Sequence, residues 1–210
     1  MFKETISPQT FQLLKRICED ENFKNFHLVG GTALALQLGH RKSKDLDFFS
    51  PIKFESVLTK ELTRYGKTKV ITATTNTIET EINNTRVFFM FFGYPLYKEM
   101  IKENEIKMAD PIDIGLMKLM CLTSRQTKKD IVDLYFIDKE IIPLEQLLKI
   151  IDRHIPEESF NKYSAAKELL DPDKLQNQPM PKMIKELNWK ETYEVVSTKI
   201  AHYLLDTAIK

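Results

Sequence analysis

Asp45 and Asp47 are the residues whose types and spacing most directly suggest chemistry. They flank Leu46 and precede Phe48-Phe49. If that apolar run is a strand, residues two apart share a face, so both carboxylates project together. Two like charges side by side repel unless something positive sits between them. A hard divalent cation such as Mg²⁺ is held by one or two carboxylates with substrate phosphates completing its shell. Taken alone, such a pair more often marks a water-facing strand edge. The weighing changes with Gly30-Gly31-Thr32, shortly upstream. The chain has only 6 glycines, and three of them fall between residues 30 and 39. A Gly-Gly turn feeding a helix offers backbone N–H groups and a helix dipole to a phosphate. One motif would hold phosphates and the other their metal.

A second set of candidates lies further along. Lys118 has Ile114, Gly115, Cys121 and Leu122 as its helical neighbours, none of them charged. This is not an ordinary solvated lysine face, although a lysine whose stem covers apolar surface fits the same pattern. Asp130 and Asp133 are three apart, in a helix that is otherwise almost all apolar beyond Lys129. Asp130 suits a helix N-terminus with Thr127 as its cap. Asp133 needs a partner, because carboxylates are seldom fully buried without one. Lys118 is the candidate. His40, Arg41, Lys42 and Lys44 form a basic run beside the Asp45–Asp47 pair, readable as a phosphate-binding patch or as a solvated loop.

The elements that must position these residues follow from periodicity. A helix is expected over 8–21, a strand over 26–29, and a helix over 32–38 with Thr32 as N-cap and Gly39 closing it. A strand over 46–49 carries the acid pair. A helix over 54–65, a strand over 70–73 and a hairpin of 77–82 with 86–92 about Asn83-Asn84 follow. From Pro111 the patterns are helical: 111–125, 128–140, 144–153, 158–170 and 190–209, with a proline-broken connector over 171–181. Trp189, Tyr193, Val196, Ile200, Leu204 and Ala208 make one apolar stripe that reads as core. The expected architecture is a small α/β unit over 1–108 followed by a helical unit over 109–210.

Composition sets outer bounds. The chain has 210 residues, with 31 basic and 30 acidic side chains and a net charge of +1. No global field draws it to nucleic acid or membrane, so any such binding needs a local patch. Cys18 and Cys121 cannot form a CxxC site and fit a reducing compartment. The start has no apolar signal-peptide core, and the longest apolar run, Val87 to Phe92, is far short of the ~20 residues of a membrane helix. A cytoplasmic protein without membrane attachment is expected. The GxxxxGK[ST], GxSxG, HExxH and GxGxxG templates all fail.

Three segments together resemble the AbiEii-like nucleotidyltransferases, the toxin half of AbiE-type toxin–antitoxin systems within the DNA polymerase beta-like superfamily. They are LVGGTALALQLGHRKSKDLDFF (28–49), LMKLM (116–120) and RQTKKDIVDLYFI (125–137), with QPMPKM (178–183) as a further match. The resemblance implies an α+β fold: a nucleotidyltransferase-type mixed sheet with flanking helices, then a C-terminal helical bundle contributing to the cleft. It implies Mg²⁺ or Mn²⁺ on Asp45 and Asp47, and NTP phosphates near Gly30, Gly31, Thr32, Ser43 and Lys118. Asp130 and Asp133 match its Rx4D and KDxxD acids. It also implies transfer of NMP to a hydroxyl acceptor, RNA such as tRNA among the candidates, and a cognate antitoxin as partner. A non-catalytic nucleotide-binding protein and a phosphoryl-transfer enzyme are the alternatives. Many superfamily members carry a third carboxylate on a later strand. The equivalent position here falls at or near Met90, and no acid occurs between Glu81 and Glu99.

Overall fold

The computed structural model describes residues 1–122, 126–156, 159–169, 171 and 173–208. The chain divides into two compact units, Met1–Asp110 and Pro111–Lys210.

The first unit is built on a seven-stranded mixed sheet, ordered β3-β4-β5-β2-β1-β7-β6. Its strands are β1 (His27–Val29), β2 (Leu46–Ser50), β3 (Thr68–Thr74), β4 (Thr77–Ile82), β5 (Thr85–Phe91), β6 (Ile101–Glu103) and β7 (Ile106–Met108). β2 alternates, with Leu46, Phe48 and Ser50 buried and Asp47 and Phe49 half-buried. Leu46 and Phe48 share the inner face with Val87 and Phe89 of β5, and the Phe48 and Phe89 rings stack 5.1 Å apart. This inner face drives folding of the unit, since burying each such side chain contributes about 1.5–3 kcal/mol. Helix α1 (Pro8–Glu19) starts at Ser7, whose hydroxyl accepts from the Thr10 N–H, and it buries Leu13, Leu14 and Ile17.

The β4–β5 hairpin turns at Asn83 and Asn84, both with positive φ (48° and 64°). Asparagine tolerates that conformation, and two such residues make the turn whose twist matches a hairpin. Three expectations need correction. Residues 54–65 form a four-residue helix α3 (Thr59–Leu62) between two 3₁₀ turns, because few of their apolar side chains find burial. Helix α2 spans Gly30–Leu38, so Thr32 lies inside it, and its N-cap Val29 makes no side-chain capping bond. The β6–β7 hairpin was not expected at all; β7 is held by parallel pairing with β1, Leu28 beside Met108.

The second unit is helical: α4 (Pro111–Cys121), α5 (Lys128–Glu140), α6 (Leu144–His154), α7 (Lys162–Leu169), α8 (Asp173–Gln176) and α9 (Trp189–Ala208). The helix expected over 111–125 runs to Cys121, and residues 123–125 lie outside the described residues. The helix expected over 158–170 is described for 162–169, and residues 157, 158 and 170 are likewise outside. α9 packs on α5, α6 and α7, with Val196, Ile200 and Leu204 fully buried. Gly115 lets α4 approach α6, since a Cβ there would meet Leu147 Cδ2 at 2.8 Å. No helix among the described residues is long and apolar enough to cross a membrane.

Candidate active site

Antiparallel pairing of β1 with β2 places Val29 beside Asp47, so the turn that leaves β1 starts against the acid pair. Gly30 has φ +67°, and a Cβ on it would lie 2.7 Å from Asp47 Oδ2. Only glycine meets both demands, a left-handed backbone and a carboxylate pressed against its Cα. The first turn of α2 then begins with Gly31 and Thr32, whose backbone N–H groups lack intrahelical acceptors as in any helix start.

The Thr32 side chain is 1% exposed. Its hydroxyl is hydrogen-bonded to the Ser43 hydroxyl (2.7 Å) and donates to the Asp45 backbone carbonyl. Thr32 and Ser43 therefore tie the first turn of α2 to the segment entering β2. The structure thus brings Gly30, Gly31, Thr32, Ser43, Asp45 and Asp47 together. Asp45 and Asp47 are both half-buried rather than solvated or sealed.

The strand beside the acids carries no carboxylate. In the parallel β2–β5 register, Asp47 lies beside Phe88 and Phe49 beside Met90. Across β5, Glu79 of β4 lies opposite Phe88, and its carboxylate pairs with Arg86. Among the described residues no group of three or more His, Cys, Asp or Glu could share a metal. The donor set is the Asp45–Asp47 pair, which suits a hard cation that keeps waters and phosphate oxygens in its shell. His27, opposite Phe49, is held neutral: burial, helped by Lys107, pushes its imidazole down to about 4.

The expected basic patch does not form as a surface. His40 and Arg41 are buried at 0% and 2% exposure, and Arg41 donates to the Lys42 carbonyl at 3.0 Å. Lys42 donates to the Glu4 carbonyl, leaving Lys44 as the exposed member. Sequence reasoning could not see this, because burial of the run is set by tertiary packing.

The second unit assembles the other candidates. Lys118 Nζ lies 2.5 Å from Asp130 Oδ1 and 2.9 Å from Asp133 Oδ2. The three side chains are 11%, 2% and 0% exposed. Thr127 caps α5, accepting from the Asp130 N–H and donating to Asp130 Oδ2 at 2.6 Å. Gln178 links to the same helix start: its Oε1 accepts from the Lys128 N–H (3.2 Å), and its Nε2 donates to the Gln126 carbonyl (3.0 Å). Lys128 itself sits 5.3 Å above the Trp189 ring. Gln178, the first residue of the QPMPKM segment, therefore ties it to the N-terminus of α5, a structural role its sequence did not announce.

Comparison with known proteins fits this arrangement. The family model for the nucleotidyl transferase AbiEii toxin of type IV toxin–antitoxin systems matches residues 12–201. An uncharacterized protein of Aquifex aeolicus (strain VF5) is 30% identical over 201 residues, 90% of each chain. Among solved structures, the MenT4 nucleotidyltransferase toxin of Mycobacterium tuberculosis H37Rv aligns with a TM-score of 0.59 at 16% identity, covering 94% of this chain and 82% of that one. JHP933 from Helicobacter pylori aligns with a TM-score of 0.55 at 19% identity, covering 95% and 92%. These two likenesses concern the fold, while the family match spans nearly the whole chain. The chain belongs to the AbiEii nucleotidyl transferase toxin family, and its class of activity is nucleotidyl transfer.

Proposed function

We propose that the protein transfers NMP from an NTP to a hydroxyl acceptor in a reaction dependent on Mg²⁺ or Mn²⁺, with RNA such as tRNA as the acceptor and a cognate antitoxin restraining it. The observation that carries this reading is the cradle at Gly30, where Asp47 Oδ2 occupies the space a Cβ would fill. It joins a phosphate-type turn to a metal-type acid pair. The two half-buried carboxylates fit a hard divalent ion that completes its shell with waters and phosphate oxygens.

In this mechanism Asp45 and Asp47 hold the metal, and the backbone N–H groups of the Gly30–Thr32 turn receive phosphate. Thr32 acts through its backbone, because its hydroxyl is committed to fixing the Asp45 carbonyl beside Ser43. Lys118 takes the family lysine's role toward the triphosphate, and Asp133 takes the proton. The acceptor oxygen attacks Pα as the bond from Pα to the bridging oxygen breaks. Pyrophosphate leaves with that oxygen, and the hydroxyl proton passes to the Asp133 carboxylate. The bound metal supplies neutralisation of the charge that develops on the phosphoryl oxygens.

The test uses total RNA and each NTP, labelled in turn on the α- and γ-phosphate. Transfer of α-label to RNA with release of pyrophosphate is the expected result. Transfer of γ-label would reassign the enzyme to phosphoryl transfer. Asp133→Asn is expected to lower α-transfer by ~10²–10⁴-fold, the usual cost of losing a general base. A silent Asp133→Asn beside a crippling Asp130→Asn would move that role one turn along α5.

A further inference from the structure

The sheet register gives the active site a direction. β2 carries Asp47, with Asp45 just before it; β1 with its Gly30 turn lies on one side, and β5 lies on the other. In-line transfer places the attacking and leaving oxygens on opposite sides of the reacting phosphorus. If the pyrophosphate rests on the Gly30–Thr32 turn, the acceptor must come from the β5 side. The outer face of β5 should then be chemically suited to the acceptor rather than to the donor.

That face is distinctive. Asp47 is flanked by Phe88, and Phe49 by Met90, on the side of the sheet opposite the Phe48–Phe89 core. Phe88, Met90 and Phe49 are half-buried, with ring area left at the surface. Phe49 stacks on Phe92 at 5.0 Å, and Phe92 meets Tyr94 at 5.3 Å. The β5 position beside Asp47 thus holds an aromatic ring, with Met90 two residues further along the same face.

Arg86 precedes this patch on the same face and is 62% exposed. Its Nε and one terminal nitrogen donate to a single oxygen of Glu79, which fixes the fork against β4. A guanidinium has five N–H donors, so a fork held on one edge still presents donors outward. An arginine fork, paired with Glu79 on one edge and open on the other, beside half-exposed rings and a Met thioether suits single-stranded nucleic acid: bases stack on the rings, and the outward N–H donors meet the backbone phosphate.

We propose that the outer face of β5 seats the acceptor's terminal nucleotide, with Phe88 and Met90 under its base and Arg86 on its phosphate. Phe88 is thereby a specificity-determining residue for a single-stranded RNA end. This rests on the nucleotidyl-transfer reading for its direction, but its test reads binding, not turnover.

The probe is a short single-stranded RNA, fluorescently labelled at its 5′ end and followed by anisotropy; NTP affinity is measured in parallel with Mg²⁺. Phe88→Ala is expected to weaken RNA binding about tenfold or more, as loss of one stacking platform does, and to leave NTP affinity unchanged. Phe88→Trp, which keeps a ring, should restore binding, and this guards against a folding defect in the alanine variant. Arg86→Gln should weaken RNA binding and flatten its salt dependence by about one phosphate contact. Wild-type-like RNA binding by Phe88→Ala overturns the proposal. So does a loss of NTP rather than RNA affinity, which would give the rings to the donor base. A wild-type protein that does not bind the RNA also overturns it, and would point to a protein or small-molecule acceptor. RNA binding with these mutant effects but no α-label transfer would uphold the platform and sink the catalytic reading alone.

Discussion

The chain uses aspartates in two places and surrounds them in opposite ways. At the start of β2, Asp45 just before the strand and Asp47 within it are both half-buried, with Asp47 pressed against the Gly30 turn. On α5, Asp130 and Asp133 are sealed from water and share the ammonium of Lys118. The first pair brings two half-buried negative charges beside a phosphate-type glycine turn, the setting proposed to receive a divalent cation. The second carries its cation within the protein, so its charges are largely compensated before any ligand arrives. Identical residue types thus divide into a receptive site and a self-satisfied cluster according to what the fold places beside them.

Breaking the receptive site should have the largest effect. Asp45→Ala or Asp47→Ala is expected to reduce metal-dependent NMP transfer by on the order of 10³-fold, since metal stabilisation is worth several kcal/mol. Stability should hold or rise, because removing one of two neighbouring like charges relieves repulsion. Activity assays with a Mg²⁺ titration and urea melts of the same variants check both halves. Wild-type metal dependence in both variants would end the comparison, because the pair would then be a plain strand edge.

The self-satisfied cluster should fail through stability. Lys118→Met leaves two buried aspartates without their cation, and breaking a buried pair from one side costs about 3–5 kcal/mol. Adding Asp130→Asn and Asp133→Asn to that variant removes the stranded charges and should recover most of the loss in urea unfolding. Lys118→Met should also weaken NTP affinity, as its proposed contact with the triphosphate requires; a stability loss with wild-type NTP affinity would leave the cluster a purely structural one.

Much of this contrast was legible before any coordinates. The apolar run after Leu46 put Asp47 on a strand, as it is, while Asp45 falls just before that strand; Gly30 announces itself in a glycine-poor chain. The Lys118–Asp133 pairing follows from charges on helices with no polar neighbours to satisfy them, and Thr127 was readable as a cap from its place before Asp130. The hidden parts depend on contacts remote in sequence. Thr32 looked like an N-cap because its type suits one, but the left-handed Gly30 starts the helix earlier and Thr32 bonds back to Ser43 and Asp45 instead. The β6–β7 hairpin has three-residue strands with little pattern of their own, and β7 is ordered by pairing with β1. The basic run at residues 40–44 lost its surface character because His40 and Arg41 are buried, a property no local window of sequence encodes.

The finest test sets one glycine from each region against the other. Gly30 and Gly115 both have a close neighbour where a Cβ would go, Asp47 Oδ2 at 2.7 Å and Leu147 Cδ2 at 2.8 Å. Distance alone would rank them equal. They differ in backbone and in what must yield. Gly30 sits at φ +67°, where an L side chain costs ~1–2 kcal/mol, and its neighbour is a carboxylate whose placement the chemistry requires. Gly115 lies within α4, where alanine is favoured over glycine by about 1 kcal/mol, and its neighbour is the end of a leucine that can rotate. Gly30→Ala should therefore lower transfer by ~10²-fold, the scale of an ångström's misplacement of a catalytic group, and lower stability as well. Gly115→Ala should change stability by less than ~1 kcal/mol, the helix preference offsetting the crowding, and leave activity intact. Parallel urea melts and transfer assays decide it. A Gly115→Ala loss as large as that of Gly30→Ala would mean that the α4–α6 contact is as unforgiving as the acid cradle, and that the second unit is tuned by close packing as tightly as the first is by charge.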